Sequence, residues 1–157
     1  MASEAPRRAC PQIRRARPED APRLAEILED SPETVKWLPT DTAADTSLAG
    51  TLLLVSESPQ EITGFLLARQ AADEAEILNI AVRRANRRTG VATALLLYAL
   101  KELRARNATR LFLEVRQSNA PAIAFYCRHG FCQVGKRPAY YRQPSEAALV
   151  FERKLTG

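Results

Sequence analysis

The stretch AEILNIAVRRANRRTGVATALLLYALKELRAR, residues 75–106, holds the transition on which the reading of the chain turns. Its first eight residues form an apolar run broken only by Glu76 and Asn79, the pattern of a buried strand. From Val91 onward the period changes. Val91, Leu95, Leu96, Ala99, Leu100 and Leu103 recur at helical spacing and define one apolar face of a helix ending at Asn107. Between strand and helix lie Arg83, Arg84, Arg87 and Arg88, then Gly90, in a chain with six glycines. The first turn of a helix carries backbone N–H groups without intrahelical acceptors and the positive end of the helix dipole, which together suit a phosphate. Gly90 admits such a ligand without a Cβ in the way, and small Ala92 and Thr93 keep the next turn open. Neighbouring arginines can grip further phosphate oxygens in bidentate fashion. No GxxxxGK[ST] and no GxGxxG is present, which excludes the common nucleoside-triphosphate loop and the dinucleotide fingerprint. On these residues alone a ligand site, a solvated loop and a nucleic-acid patch all stay open.

Reading outward, QIRRA (12–16) alternates as a short strand. Pro18, Glu19 and Asp20 open a helix with Leu24, Ile27 and Leu28 on one face, ending before Pro32. Residues 32–48 read as a short helix plus loop. TLLLVSE (51–57), the turn SPQE and ITGFLLARQ (62–70) make a hairpin. Downstream, RLFLEV (110–115) is a strand, and NAPAIAFYCRHG (119–130) is a helix closed by Gly130. FCQVGKR (131–137) and AALVFERKL (147–155) are the last strands, around a loop containing Tyr140 and Tyr141. The order predicts an α/β fold with a mixed sheet and helices on both faces.

At 157 residues the chain has the size of one domain, expected over 12–157, with residues 1–11 a flexible N-terminal tail. Hydrophobic residues are 46% and charged residues 26%, an ordinary globular mixture. No apolar run reaches the roughly 18 residues of a membrane span, and the N-terminus has no apolar signal core. Cys10, Cys127 and Cys132 form no CxxC pair, and an odd count argues against a disulfide framework, so a cytoplasmic protein with reduced thiols is expected. The net charge of +5 suits an anionic ligand. The single histidine and scattered cysteines leave no metal-ligand set, and no metal is expected. Cys127 and His129 are two apart on a helix, pointing roughly 200° away from each other, so they form no nucleophile–base pair. Cys127 is expected to pack, and His129 to lie on the surface near the helix end.

Arg87-Arg88-Thr89-Gly90-Val91-Ala92 fits an (Arg/Gln)-x-x-Gly-x-(Gly/Ala) pattern, with NIAV before it, LEVRQSNAPAIAFYCRHGF after it and a tyrosine pair beyond. In that order these motifs resemble the GCN5-related N-acetyltransferases, specifically the branch that acetylates ribosomal-protein N-termini. The similarity spans about residues 75–155. It implies a mostly antiparallel mixed sheet splayed between two parallel strands, 75–82 and 110–115. The pantetheine arm of acetyl-CoA would follow Ile80, Ala81 and Val82 in that splay. Its pyrophosphate would rest on the loop from Arg87 and Arg88 through Thr89, Gly90, Val91, Ala92 and Thr93. Asn119 matches the family's side-chain contact to the arm, while as a plain residue it is a helix N-cap, a role Ser118 could also fill.

Alternation in LFLEV puts Phe112 and Glu114 opposite Leu111, Leu113 and Val115. Alone, Glu114 reads first as an end-of-strand carboxylate exposed to water, and otherwise as one lining a cavity or paired with a residue such as Arg116. The resemblance implies that it is the general base. Tyr126 alone reads as a core aromatic beside Phe125 and Phe131, and the resemblance implies that it is the acid for the departing thiolate. Tyr140 and Tyr141 would flank the acceptor. The implied reaction is direct transfer from acetyl-CoA to an amine. The expected acceptor is a protein N-terminal α-amine, by resemblance that of a small-subunit ribosomal protein, with neither membrane nor nucleic acid required. A small-molecule amine acetyltransferase is the alternative within this fold, and a non-catalytic acyl-CoA- or nucleic-acid-binding module the alternative outside catalysis. Two stretches depart from the family pattern: RQPSEAAL follows the tyrosines instead of an acidic turn, and Trp37-Leu38-Pro39 replaces a proline–tryptophan pair.

Overall fold

The computed structural model describes residues 10–31, 50–142 and 145–155. The helix and loop expected over 32–48, Trp37 with them, lie outside these residues, as does most of the expected tail. In chain order the described elements are β1 (Gln12–Arg15), α1 (Ala21–Glu29), β2 (Thr51–Glu57), β3 (Ile62–Ala71), β4 (Glu74–Val82), α2 (Val91–Ala105), β5 (Arg110–Arg116), α3 (Ala120–Arg128), β6 (Cys132–Arg142) and β7 (Ser145–Lys154). The seven strands form one sheet in the order β1-β2-β3-β4-β5-β7-β6. The β4–β5 pair is parallel, while the other neighbours run antiparallel.

Strand alternation sorts the core into two layers. Leu52, Leu54, Leu66 and Ala68 face α2, joined by Leu111, Leu113 and Val115 of β5 and Tyr126 of α3. Leu53, Val55, Phe65 and Leu67 face the other way, onto Leu24, Ile27 and Leu28 of α1. Helices thus cover both faces, two on one side and α1 on the other. The six apolar residues read from the helical period of α2 are all buried. Each leucine among them contributes about 1.5–3 kcal/mol by leaving water. That anchorage fixes where the N-terminus of α2 points.

The strand at 74–82 is not buried throughout. Its burial alternates along the whole strand, while its register against β3 shifts at Leu78. Ala68 pairs with Ile77 and Leu67 with Asn79, so Leu78 is the extra residue of a β-bulge. Before it Ala75 and Ile77 join the α2 side, and after it Ile80 and Val82 do, while Ala81 turns to α1. Pairing with β5 ends at the same place. The register runs from Glu74↔Arg110 to Ile77↔Leu113. Beyond that point the two parallel strands part, and the sheet opens between Leu78–Val82 and Glu114–Arg116.

One assignment from the sequence is corrected. Tyr140 and Tyr141 are not in a loop, because β6 continues to Arg142, which pairs with Ser145 of β7. Pro138 and a register shift between Arg137 and Tyr141 break the alternation that would have marked a strand, and Ala139 takes φ +50° there.

Candidate functional site

Four arginines precede α2, and the structure divides them into two pairs. Arg83 donates from Nε to Ile62 O at 2.8 Å and reaches Glu26 at 3.2 Å. Arg87 donates to Asp30 O at 2.9 Å, to Ser31 Oγ at 3.3 Å and to Val82 O at 3.3 Å, tying the loop to the end of α1. Its backbone N–H donates to Arg84 O. Neither its guanidinium nor its amide is turned toward the start of α2. Arg84 and Arg88 are exposed instead. Arg88 and Gly90 take φ +62° and +92°, a tight reversal that delivers the chain into α2. A Cβ on Gly90 would meet nothing within 4 Å, so the backbone conformation, rather than crowding, calls for glycine. The first intrahelical bond is Ala94 N–H to Gly90 O, and the amides of Val91, Ala92 and Thr93 are the turn's orphan donors. Thr89 Oγ1 donates to Asn86 O. Gly64, which sequence reasoning passed over, seats this turn: a Cβ there would lie 3.0 Å from Val91 Cγ1 and 2.9 Å from Ala81 O.

The opening between β4 and β5 is a cleft of about 120 Å³ lined by Leu78, Asn79, Ile80, Glu114, Asn119 and Tyr126, with Arg116 and Tyr141 at its margin. Ile80 and Val82 are half-buried and Ala81 is buried, on the strand edge that β5 has left. Asn119 is the N-cap of α3, its Oδ1 accepting from Ala122 N–H at 3.3 Å, so it caps the helix and lines the cleft at once. Ser118 does not cap; its N–H donates to Glu146. Tyr126 is 6% exposed, packed edge-on against Phe125 and Phe131 with centroids 5.3 and 5.5 Å away. It belongs to the core and also lines the cleft. Burial pushes its phenol well above the usual tyrosine range.

Glu114 lies on the face of β5 away from Tyr126, lining both the cleft and a groove of about 420 Å³ on the open face, with Arg69, Glu74, Glu76 and Arg137. Its ion-pair partner is Arg137, Nε to Oε1 at 3.0 Å, not Arg116. The Glu114 carboxylate is also the main influence that raises the Tyr140 phenol. Arg116 instead sits 4.0 Å over the Tyr141 ring and 3.5 Å from Glu146. The register explains both choices. Glu114 pairs with Val150, and Val150 with Gly135, while Arg116 and Arg137 both pair with Ala148. With Gly135 bearing no side chain and Ala148 a short one, Arg137 can cross β7 to Glu114. Arg137 escaped the sequence reading because two strands separate it from Glu114, a distance no local spacing reveals.

Cys127 is exposed rather than packed, since it falls on the outer face of α3. His129 caps the end of α3, its ring 4.6 Å from Phe125 and its Nε2 3.4 Å from Thr93 Oγ1. Burial, with Arg128 and Arg153 nearby, lowers its pKa. Among the described residues no three His, Cys, Asp or Glu side chains are grouped to hold a metal ion, and no helix is long and apolar enough to cross a membrane.

The sequence model of the Acetyltransferase (GNAT) family matches residues 12–131. The chain is 36% identical over 126 residues to the [ribosomal protein bS18]-alanine N-acetyltransferase of Haemophilus ducreyi, covering 80% of this chain and 86% of that one. It is 32% identical over 109 residues to an N-alpha-acetyltransferase of Sulfurisphaera tokodaii, covering 61% and 65%. The crystal structure of the ribosomal-protein-S18-alanine N-acetyltransferase from Escherichia coli superposes with a TM-score of 0.84 at 28% identity, over 94% of this chain and 96% of that one.

Proposed function

The chain belongs to the acetyltransferase (GNAT) family, and from that premise we propose that it acetylates the N-terminal α-amine of a protein by direct transfer, with Glu114 as base and Tyr126 as acid. The observation that carries this reading is the shared cleft, which Glu114 on one face of the sheet and Tyr126 on the other both line. Acetyl-CoA, the family's acetyl donor, supplies a thioester whose carbonyl carbon the amine attacks as the C–S bond breaks. The orphan amides of Val91, Ala92 and Thr93 and the exposed Arg88 suit its pyrophosphate, and the vacated edge at Ile80–Val82 suits its amide-bearing arm. Arg87 serves this site indirectly, by fixing the loop against α1.

Glu114 accepts the proton the amine loses, directly or through a water, and Tyr126 donates one to the sulfur as it leaves. A phenol raised by burial stays protonated across the working pH range, in the form that can donate, although burial also makes it a weaker acid. The choice of acceptor rests on acidity and on the relatives. An α-amine has a pKa of about 8 and is about 10% free base at pH 7, whereas a lysine ε-amine near 10.4 is almost wholly protonated. One carboxylate suits the first far better. The relatives are named for acetylating an N-terminal alanine of ribosomal protein bS18, and that terminus is the acceptor we assign here. Glu114→Gln tests the base: kcat/KM for an N-terminal alanine peptide should fall about 10²- to 10⁴-fold with coenzyme A affinity retained. Turnover within a few-fold of wild type would remove Glu114 from the mechanism.

A further inference from the structure

Arg137 occupies the side of Glu114 that faces the open groove, with Nε 3.0 Å from the carboxylate. We propose that Arg137 is an acceptor-selecting residue: its guanidinium holds the place of the acceptor's ammonium group against Glu114, yields to it on binding, and returns when acetylation has made the terminus neutral. This rests on the reading of Glu114 as the group that receives the amine.

The two partners are unequally held. Glu114 is 17% exposed and fixed in a central strand, while Arg137 is 60% exposed on the edge strand β6. The segment after Arg137 is loosely tied, because regular pairing with β7 lapses between Arg137 and Tyr141 and Ala139 sits at φ +50°. Arg116, two residues from Glu114 on the same strand, is the contrast: it is 23% exposed, 4.0 Å over the Tyr141 ring where Arg137 is 5.6 Å over that of Tyr140, and beside a Glu146 that also holds the Ser118 amide. Arg116 is built to stay, and Arg137 is built to leave.

Displacement then follows charge. An α-amine with a pKa of about 8 arrives at neutral pH mostly as the ammonium ion. Its entry exchanges one cation for another beside Glu114, and the freed guanidinium returns to water at little cost. After transfer the terminus is an uncharged amide, which no longer competes for the carboxylate. Arg137 closes on Glu114 again and favours release of the product. A neutral ligand entering this groove must break the pair without replacing the charge.

The test compares wild type with Arg137→Ala, Arg137→Gln and Arg137→Lys, each checked for folding by circular dichroism. An exposed ion pair contributes up to about 1 kcal/mol, so removing it should lower the acceptor KM and the inhibition constant of the acetylated peptide by roughly two- to fivefold. KM for acetyl-CoA should not move, and Arg137→Lys should stay near wild type in both acceptor constants. A raised acceptor KM in Arg137→Ala would show that Arg137 grips the acceptor, and unchanged acceptor and product constants would show that it does not compete; either overturns the proposal. The measurement uses whichever amine the wild type acetylates best. A small amine preferred over all peptides would therefore defeat the acceptor assignment and still decide the role of Arg137.

Discussion

Glu114 and Tyr126 line one cleft from opposite faces of the sheet, Glu114 on β5 and Tyr126 on α3. The β4–β5 ladder stops at Ile77↔Leu113, one residue before Glu114 and beside the residue at which β4 bulges against β3, and the gap beyond is lined by both residues. An intact parallel ladder would seal the two faces from each other.

Tyr126→Phe separates the acid from the core aromatic. Phenylalanine preserves the edge-on packing with Phe125 and Phe131, so the melting temperature and coenzyme A affinity should hardly change. The kcat should fall on the order of 10²-fold or more. The wild-type pH profile should also lack a basic limb near the ordinary tyrosine value of about 10, because burial lifts the phenol beyond it. An unaffected kcat would leave Tyr126 a packing residue.

At Gly90 the open space and the positive φ make separate predictions. Gly90→Asn, which tolerates the left-handed region, should lose about 1 kcal/mol of stability or less and keep much of its coenzyme A affinity. Gly90→Glu should fold but bind coenzyme A too weakly to detect by calorimetry, since it places a negative charge beside the orphan amides of α2. Equal affinity in the two variants would contradict a phosphate cradle at this turn.

The frame that holds α1 gives a pH prediction. Asp20 takes two bonds from Arg14, at 2.8 and 3.1 Å, and one from the Arg17 amide at 2.7 Å, while Arg14 also reaches Glu57 at 2.8 Å. Burial is the largest single influence on this carboxyl and raises it, but the bonds from Arg14 and Arg17 together outweigh burial and leave it below its usual 3.8. The folded value is depressed, so the stabilisation is complete above pH 3.8 and is lost as the pH falls through the lower folded value. Asp20→Asn should therefore be less stable than wild type at pH 7, by about 1.5–3 kcal/mol in urea melts, with the gap closing in acid. A gap that is the same at pH 7 and pH 3 would rule out the carboxylate as its source.

The helices and inner strands were legible because their side chains obey a single period. The face of α2 and the alternation in β5 could be read directly, and with them the side on which Glu114 lies. The register shift at Leu78 was not legible, since a bulge adds one residue without altering composition. β6 was cut short for a related reason: Pro138 and the irregular pairing around Ala139 imitate a loop. At the site, the start of α2 could be placed from its local pattern, whereas Glu114 and Tyr126 were set beside the cleft only by the resemblance to the family. The division of the arginines, with Arg87 locked to Asp30 and Ser31 while Arg88 stays free to solvent, depends on α1 docking beside the loop. The pairing of Arg137 with Glu114 depends on which strands become neighbours, and local sequence does not record that.

A competition assay tests the assigned acceptor directly. The enzyme is incubated with acetyl-CoA and a mixture of N-terminal alanine peptides, the same peptides blocked at the N-terminus but carrying internal lysines, and small primary amines, and the products are weighed by mass spectrometry. An N-terminal acetyltransferase should leave a single acetyl group on the free α-amine, none on the blocked peptides, and show the highest kcat/KM for a peptide. A small amine that outcompetes every peptide, or acetylation of internal lysines on the blocked peptides, would contradict the assignment.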